Sequence, residues 1–156
     1  MKYMTADLVN RMNGEDQSEG CQNNLEEVWG KNGDLYMKWL KENLSTFPTA
    51  VQKFLDKICL HDAVIECQAS LTTNHVCFVR LEDSYVGMAY TLECPVEKEK
   101  HTGPGFYEDS LIWLYDEFDI DENGKFIHNI LLSDGTELHI KFRNFNWFKG
   151  KIEESY

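Results

Sequence analysis

Across residues 110–143, three runs rich in apolar side chains are interrupted at Glu122-Asn123-Gly124 and Ser133-Asp134-Gly135. That rhythm, punctuated by Asn-Gly and Asp-Gly, predicts three antiparallel strands joined by tight hairpins. Each turn fits a two-residue loop or a three-residue loop with glycine in the left-handed conformation, and the choice moves the next strand's side chains to the opposite face. Three-residue loops align Ile112, Leu114, Phe118 and Ile120 with Phe126, Ile130 and Leu132, and these with Leu138, Ile140 and Phe142. Two-residue loops would set Phe126, Ile130 and Leu132 beside Glu137, His139 and Lys141. The first arrangement is selected, because it leaves Glu117, Asp119, Asn129, Glu137, His139, Lys141 and Arg143 for a water-facing side. It also puts Asp116 and His128 on the apolar side as diagonal neighbours about 7 Å apart. A satisfied polar pair is the simpler reading there, and a catalytic pair the bolder one.

Upstream the spacing becomes helical. Thr5 is placed to cap a short helix over residues 6–12, with Leu8, Val9 and Met12 on one side and Asn13-Gly14 ending it. A polar loop is expected over residues 15–20. A second helical region, residues 23–44, broken around Gly30 to Gly33, carries Trp29, Tyr36, Trp39 and Leu40 as the buried face of a helix. Pro48 suits the first turn of a third helix, in which Val51, Phe54, Leu55 and Ile58 follow at i, i+3, i+4 and i+7, ending near Leu60. Strands are expected at residues 63–69, 76–81 and 85–92. Helices followed by strands define an α+β fold: about three amino-terminal helices packed on a mostly antiparallel six-stranded meander, with residues 1–156 as one domain. A strongly curved or partly closed sheet is the alternative. Residues 94–109, with Glu97-Lys98-Glu99-Lys100 and Gly103-Pro104-Gly105, read as a long surface loop.

With 156 residues and 42% hydrophobic content the chain can bury an ordinary core, and no apolar run approaches the roughly 18 residues of a membrane span. The amino terminus has no apolar signal core, so a cytoplasmic protein is expected. Five cysteines, Cys21, Cys59, Cys67, Cys77 and Cys94, form no C-x-x-C pair and read as reduced thiols. A formal charge of -12, spread along the chain, disfavours nucleic acid and anionic membrane as partners and favours basic proteins or plain solubility.

Three short patches, Met1-Lys2-Tyr3-Met4-Thr5, Phe47-Pro48 and Leu60-His61-Asp62-Ala63-Val64-Ile65, resemble a family of small bacterial cytosolic proteins catalogued as a domain of unknown function. The resemblance implies a bacterial cytosolic setting and no established activity.

Several chemistries lose their usual support. Asp119-x-Asp121-x-Asn123-Gly124 begins like a calcium loop, but its twelfth position is Ile130 instead of glutamate and strands flank it, so a hairpin turn is the better reading. His75-x-Cys77 and Cys59-x-His61 lack further ligands, and His128 and His139 fall on opposite faces, so no metal group emerges and no cofactor is expected. No nucleophile elbow, Walker loop or dinucleotide fingerprint occurs. The tail from Lys141 to Lys151 interleaves bases with aromatics, yet in an acidic chain it reads as a final strand with inward rings. At His61-Asp62 a helix end and an adjacent carboxylate could prepare a base, but capping and turn formation are the preferred reading, because the sequence identifies no third, substrate-facing group.

The resulting expectation is a non-enzymatic binding or regulatory protein that recognises another protein, a basic one being the natural counterpart, as for acidic immunity-type proteins. Trp113 and Tyr115, exposed on the polar sheet face, are the candidate contact surface. The alternative is an enzyme or small-molecule binder with a pocket between helices and sheet, lined by His61, Asp62, Asp116 and His128.

Overall fold

The computed structural model describes residues 1–14 and 19–152. In chain order these form α1 (Ala6–Asn13), α2 (Glu19–Asn43), a 3-10 turn (Leu44–Thr46), α3 (Thr49–Lys57), β1 (Val64–Ser70), β2 (Asn74–Arg80), β3 (Ser84–Leu92), β4 (Glu97–Lys100), β5 (Trp113–Ile120), β6 (Phe126–Leu132) and β7 (Thr136–Lys151). This is the expected α+β arrangement with its helices amino-terminal. No described helix is long and apolar enough to cross a membrane. The loop expected at residues 15–20 falls partly outside the described residues, and Glu19 and Gly20 already belong to α2.

The sheet runs β1-β2-β3-β7-β6-β5, with neighbours antiparallel. It is therefore two meanders joined through β3 and β7, not one continuous meander. The 16-residue β7 makes the junction: its first half pairs with β6 on one edge and β4 on the other, and its second half pairs with β3. The sheet also curls on itself. Val64 bridges Ile112, Ile65 N–H donates to the Leu111 carbonyl and Trp113 N–H to the Ala63 carbonyl, both at 2.9 Å, so β1 nearly meets β5. Further along β5 the Tyr36 hydroxyl of α2 accepts from Phe118 N–H at 2.8 Å, satisfying an edge donor that no strand reaches.

Both hairpins close as three-residue loops. Gly124 and Gly135 have φ of 75° and 82°, and their amides donate to Asp121 and Leu132 carbonyls at 2.9 Å. Phe118 is opposite His128, and His128 opposite Ile140, so the inner face holds the aligned apolar residues from Phe118 onward. The start of β5 departs from expectation. A bulge between Trp113 and Tyr115 reverses the parity: Trp113 enters the main core, while Ile112 and Leu114 turn to the other side with Leu131. A second irregularity, where Thr91 pairs Asn144 but Leu92 pairs Phe142, lets both Phe142 and Phe145 reach the core.

The outer face of β5–β7 is not solvated as expected. The amino-terminal segment and α1 lie over it, packing Ala6 and Val9 on Leu114 and Leu131, with Trp29 of α2 edge-on to Tyr115. The far end of α2 and α3 pack on the inner side through Leu40, Val51 and Phe54. Because both ends of α2 are anchored, the helix runs through Gly30 and Gly33 without the expected break: Trp29 and Asn32 hold one side, Tyr36 and Leu40 the other. Its 25 residues span about 37 Å. α3 stops at Lys57, short of the expected end near Leu60.

The two hairpin glycines differ in surroundings. A Cβ at Gly124 meets nothing within 4 Å, whereas one at Gly135 would lie 2.2 Å from the His101 carbonyl oxygen. In urea unfolding, Gly124→Ala should cost only the left-handed conformational penalty of about 1–2 kcal/mol. Gly135→Ala should cost visibly more, because the strand-to-β4 approach must open as well. Equal losses would show that the chain does not approach Gly135 this closely.

Candidate functional site

The four residues expected to share a pocket are divided between two places. His61 and Asp62 sit in the turn before β1 and border an open cleft with Arg80, Glu82 and Asp83. His61 lies beyond the end of α3, so the helix-end argument for its cationic form does not apply. Its Nδ1 is 2.6 Å from the Leu114 carbonyl and its ring lies 4.8 Å from Tyr115, while Nε2 is 3.6 Å from Asp62. Asp62 takes a left-handed conformation, φ 66°, in a turn closed by Ala63 N–H on the Leu60 carbonyl. Burial, then the charge of Asp62, raises the Tyr115 hydroxyl. The pair closes a turn and lines a shallow surface.

Asp116 and His128 do meet, inside the curled sheet. His128 is fully buried, with Nε2 at 2.7 Å from Asp116 Oδ2 and Nδ1 at 2.8 Å from the Tyr90 hydroxyl. Trp113 Nε1 donates to Asp116 Oδ1 at 2.9 Å, and Phe118 stacks on the imidazole at 3.8 Å. A carboxylate can only accept, so Nε2–H donates to Asp116, while Nδ1 and the Tyr90 hydroxyl share the second bond. Both ring nitrogens are hydrogen-bonded, so the cluster is a polar chain set in an aromatic core, with the Asp116 carboxylate partly exposed at its end. Trp113, expected as an exposed contact residue, is completely buried in this cluster, and Tyr115 is half-buried between Trp29 and His61. Neither offers an open surface. The turn that resembled a calcium loop is likewise engaged: Asp121 accepts from Asn123 and Lys125 amides and from Lys141 Nζ at 2.8–2.9 Å.

Beneath the amino-terminal segment lie two buried glutamates. Glu117 is 2% exposed and accepts from three consecutive amides, Lys2, Tyr3 and Met4, at 2.8, 3.0 and 2.6 Å. Glu137 is 3% exposed and receives the Met1 amino group on one oxygen and His101 Nε2 at 2.9 Å on the other. Burial by itself would raise the Glu137 carboxyl. The bond and charge of the Met1 amine, with His101 and His139, outweigh it and hold the group below the usual carboxylate range. His139 and Glu99 of β4 complete a cluster with Glu137 in which a metal ion could be held. Sequence reasoning finds no such group, although Glu99-x-His101 and Glu137-x-His139 repeat one spacing on strands that the fold makes neighbours.

A different surface is open. On the outer face of β2, β3 and late β7, Val76 is opposite Ala89, and Phe78, Gly87 and Phe148 form one row. Val76 is 47% and Phe148 53% exposed, and the rings of Phe78, Tyr85 and Phe148 cluster at 5.4–6.4 Å. Val76, Phe78 and Phe148 border an apolar groove of about 220 Å³. The inward aromatics expected of the tail are thus Phe142 and Phe145, with Trp147 partly buried, while Phe148 points out.

Neither a protein-family model nor a curated protein sequence matches the chain.

His75 offers a pH signature. It is 1% exposed and bonded at Nδ1 to Ser70 Oγ at 2.7 Å, and its Nε2 has no partner among the described residues. Burial first, then the charges of Lys98 and His128, push it down to about 4 from 6.5. The unfolded chain therefore binds a proton between those values that the folded one refuses, and stability falls as pH drops through that window. Chemical denaturation should show a loss on the order of 2 kcal/mol between pH 7 and 5. His75→Met should remove that part of the slope, and an unchanged slope would contradict the assignment.

Proposed function

We propose that this is a non-enzymatic binding or regulatory protein that recognises another protein, docking through the outer face of β2, β3 and late β7. The supporting observation is the exposed apolar patch of Val76, Ala89 and Phe148, with Phe78 and Tyr85 beside it, in a sheet whose other outer half is covered by α1. Exposed Asn144 and Asn146 and the Arg80–Glu66 ion pair at 2.6 Å form a polar border. An apolar centre inside a polar rim is the anatomy of a protein contact. The charge of -12 would steer a basic partner toward the molecule before the apolar contact forms. An immunity-like role in a bacterial cytoplasm, the setting that the resemblance of the three patches implies, suits such a partner. The alternative of a catalytic pocket finds less support, since the cleft bordered by His61 and Asp62 is lined by neither Asp116 nor His128.

The test compares wild-type bait with Val76→Glu/Phe148→Glu in capture from native cells, followed by affinity measurement with the captured partner. Charges at two contact residues should weaken binding by about 2 kcal/mol or more, roughly thirtyfold, with near-UV circular dichroism unchanged. A partner that binds both proteins equally, or self-association through this face as the only complex, would contradict the proposal.

A further inference from the structure

Glu99 of β4 and Glu137 of β7 are directly opposite in the antiparallel register, and each is followed two residues later by a histidine. Like charges facing each other across strands repel. Among the described residues Glu99 has no lysine or arginine within ion-pair distance; its near neighbours of that kind are His139 Nε2 at 3.6 Å and His101 Nε2 at 3.9 Å. His139 Nε2 is also 3.8 Å from Glu137 Oε1. The tautomer of His139 is set from its other side. Nδ1 is 2.7 Å from Asn129 Oδ1, an atom that only accepts, so Nδ1 carries a hydrogen and Nε2 is the ring atom directed at both carboxylates, with a lone pair whenever the ring is neutral. Carboxylate oxygens of Glu99 and Glu137 and the His139 Nε2 then face one another, and the Met1 amino group donates to the Glu137 oxygen on that side.

We infer that Glu99, Glu137 and His139 form a binding site for a divalent transition-metal ion of the zinc class. One ligand atom from each lies within 4.8 Å of the others. The 3.6 and 3.8 Å separations approach the edge of roughly 3.4 Å expected of a tetrahedron with bonds of about 2.1 Å. Asn129 supplies the outer hydrogen bond that metal-bound histidines commonly make, and His101 orients Glu137 through its 2.9 Å bond to Oε2. Imidazole with carboxylates suits zinc, cobalt or nickel, whereas calcium and magnesium favour oxygen alone. The ion would join β4 to β7 and would share Glu137 with the Met1 amino group. A proton is its competitor, because an imidazolium at His139 would also relieve the facing glutamates.

Untagged protein stripped with chelator is titrated with zinc chloride by calorimetry and with cobalt(II) by visible absorption. The expected result is one equivalent bound, weakened about tenfold or more in His139→Asn and in Glu99→Gln. Glu108→Gln, at an exposed neighbouring acid, should bind as wild type, and the cobalt spectrum should lack a thiolate charge-transfer band. Zinc should also perturb the His139 imidazole resonances of the unsubstituted protein, a readout that does not depend on any variant folding. Absence of saturable binding, affinity unmoved by both substitutions, a thiolate band, or unperturbed His139 resonances would each overturn the site.

Discussion

Everything distinctive about this protein depends on the register that two glycine-bulged hairpins impose on β5, β6 and β7. A side chain on a strand has two options, and a one-residue slip exchanges them for the whole strand. With Gly124 and Gly135 in the left-handed conformation, Phe118, His128 and Ile140 fall in one row on the inner side. Glu117, Asn129 and His139 form the row on the other side. The inner row accepts one polar group, His128, because Tyr90 and Asp116 complete its hydrogen bonds. The outer face carries the carboxylates of Glu117 and Glu137, whose burial is matched by three amides and an amino group from the amino-terminal segment and by His101. A buried carboxylate without such donors would be strongly unfavourable.

The elements that sequence reading located are those whose signal is local. The two turns contain Asn-Gly and Asp-Gly, Thr5 caps α1 with a bond from Leu8, and Val51 and Phe54 mark the buried side of α3. What was illegible depends on contacts distant in sequence. The bulge at Leu114 contains no glycine or turn residue, and it is explained only by α1, which gives Leu114 and Leu131 an apolar partner on the outer side. A signal did exist: the unbroken apolar runs Leu111-Ile112-Trp113-Leu114 and Ile130-Leu131-Leu132 are what strands covered on both faces show. β4 was invisible because Glu97-Lys98-Glu99-Lys100 is charged at every position and has no apolar face for a periodicity to reveal. For the candidate sites the pattern is similar. Asp116 and His128 were legible as a pair because one hairpin brings them together. The Glu99–Glu137–His139 cluster was not, since it needs β4 to be a strand, and the exposed row on β2, β3 and β7 needs β7 to cross from one meander to the other.

The two halves of the curled sheet consequently have different exteriors. Around β5 and β6 the outside is a second, smaller core with buried acids, organised by residues 1–4, α1 and the near half of α2. Around β2 and β3 no described element lies over it, and aromatic rings pack on one another with Phe148 exposed. β7 belongs to both: its first half carries Glu137 and His139 beside β4, and its second half carries Phe148 beside β3. The acidic cluster and the apolar row are thus at opposite ends of one 16-residue strand.

Because the register underlies both faces, the most direct measurement is the pattern of inter-strand backbone contacts seen by solution NMR across β5, β6 and β7. The account predicts contacts that pair Phe118 with His128 and His128 with Ile140. Contacts pairing Phe118 with Ile127 or Asn129 would place the inner and outer rows on the wrong sides and contradict it.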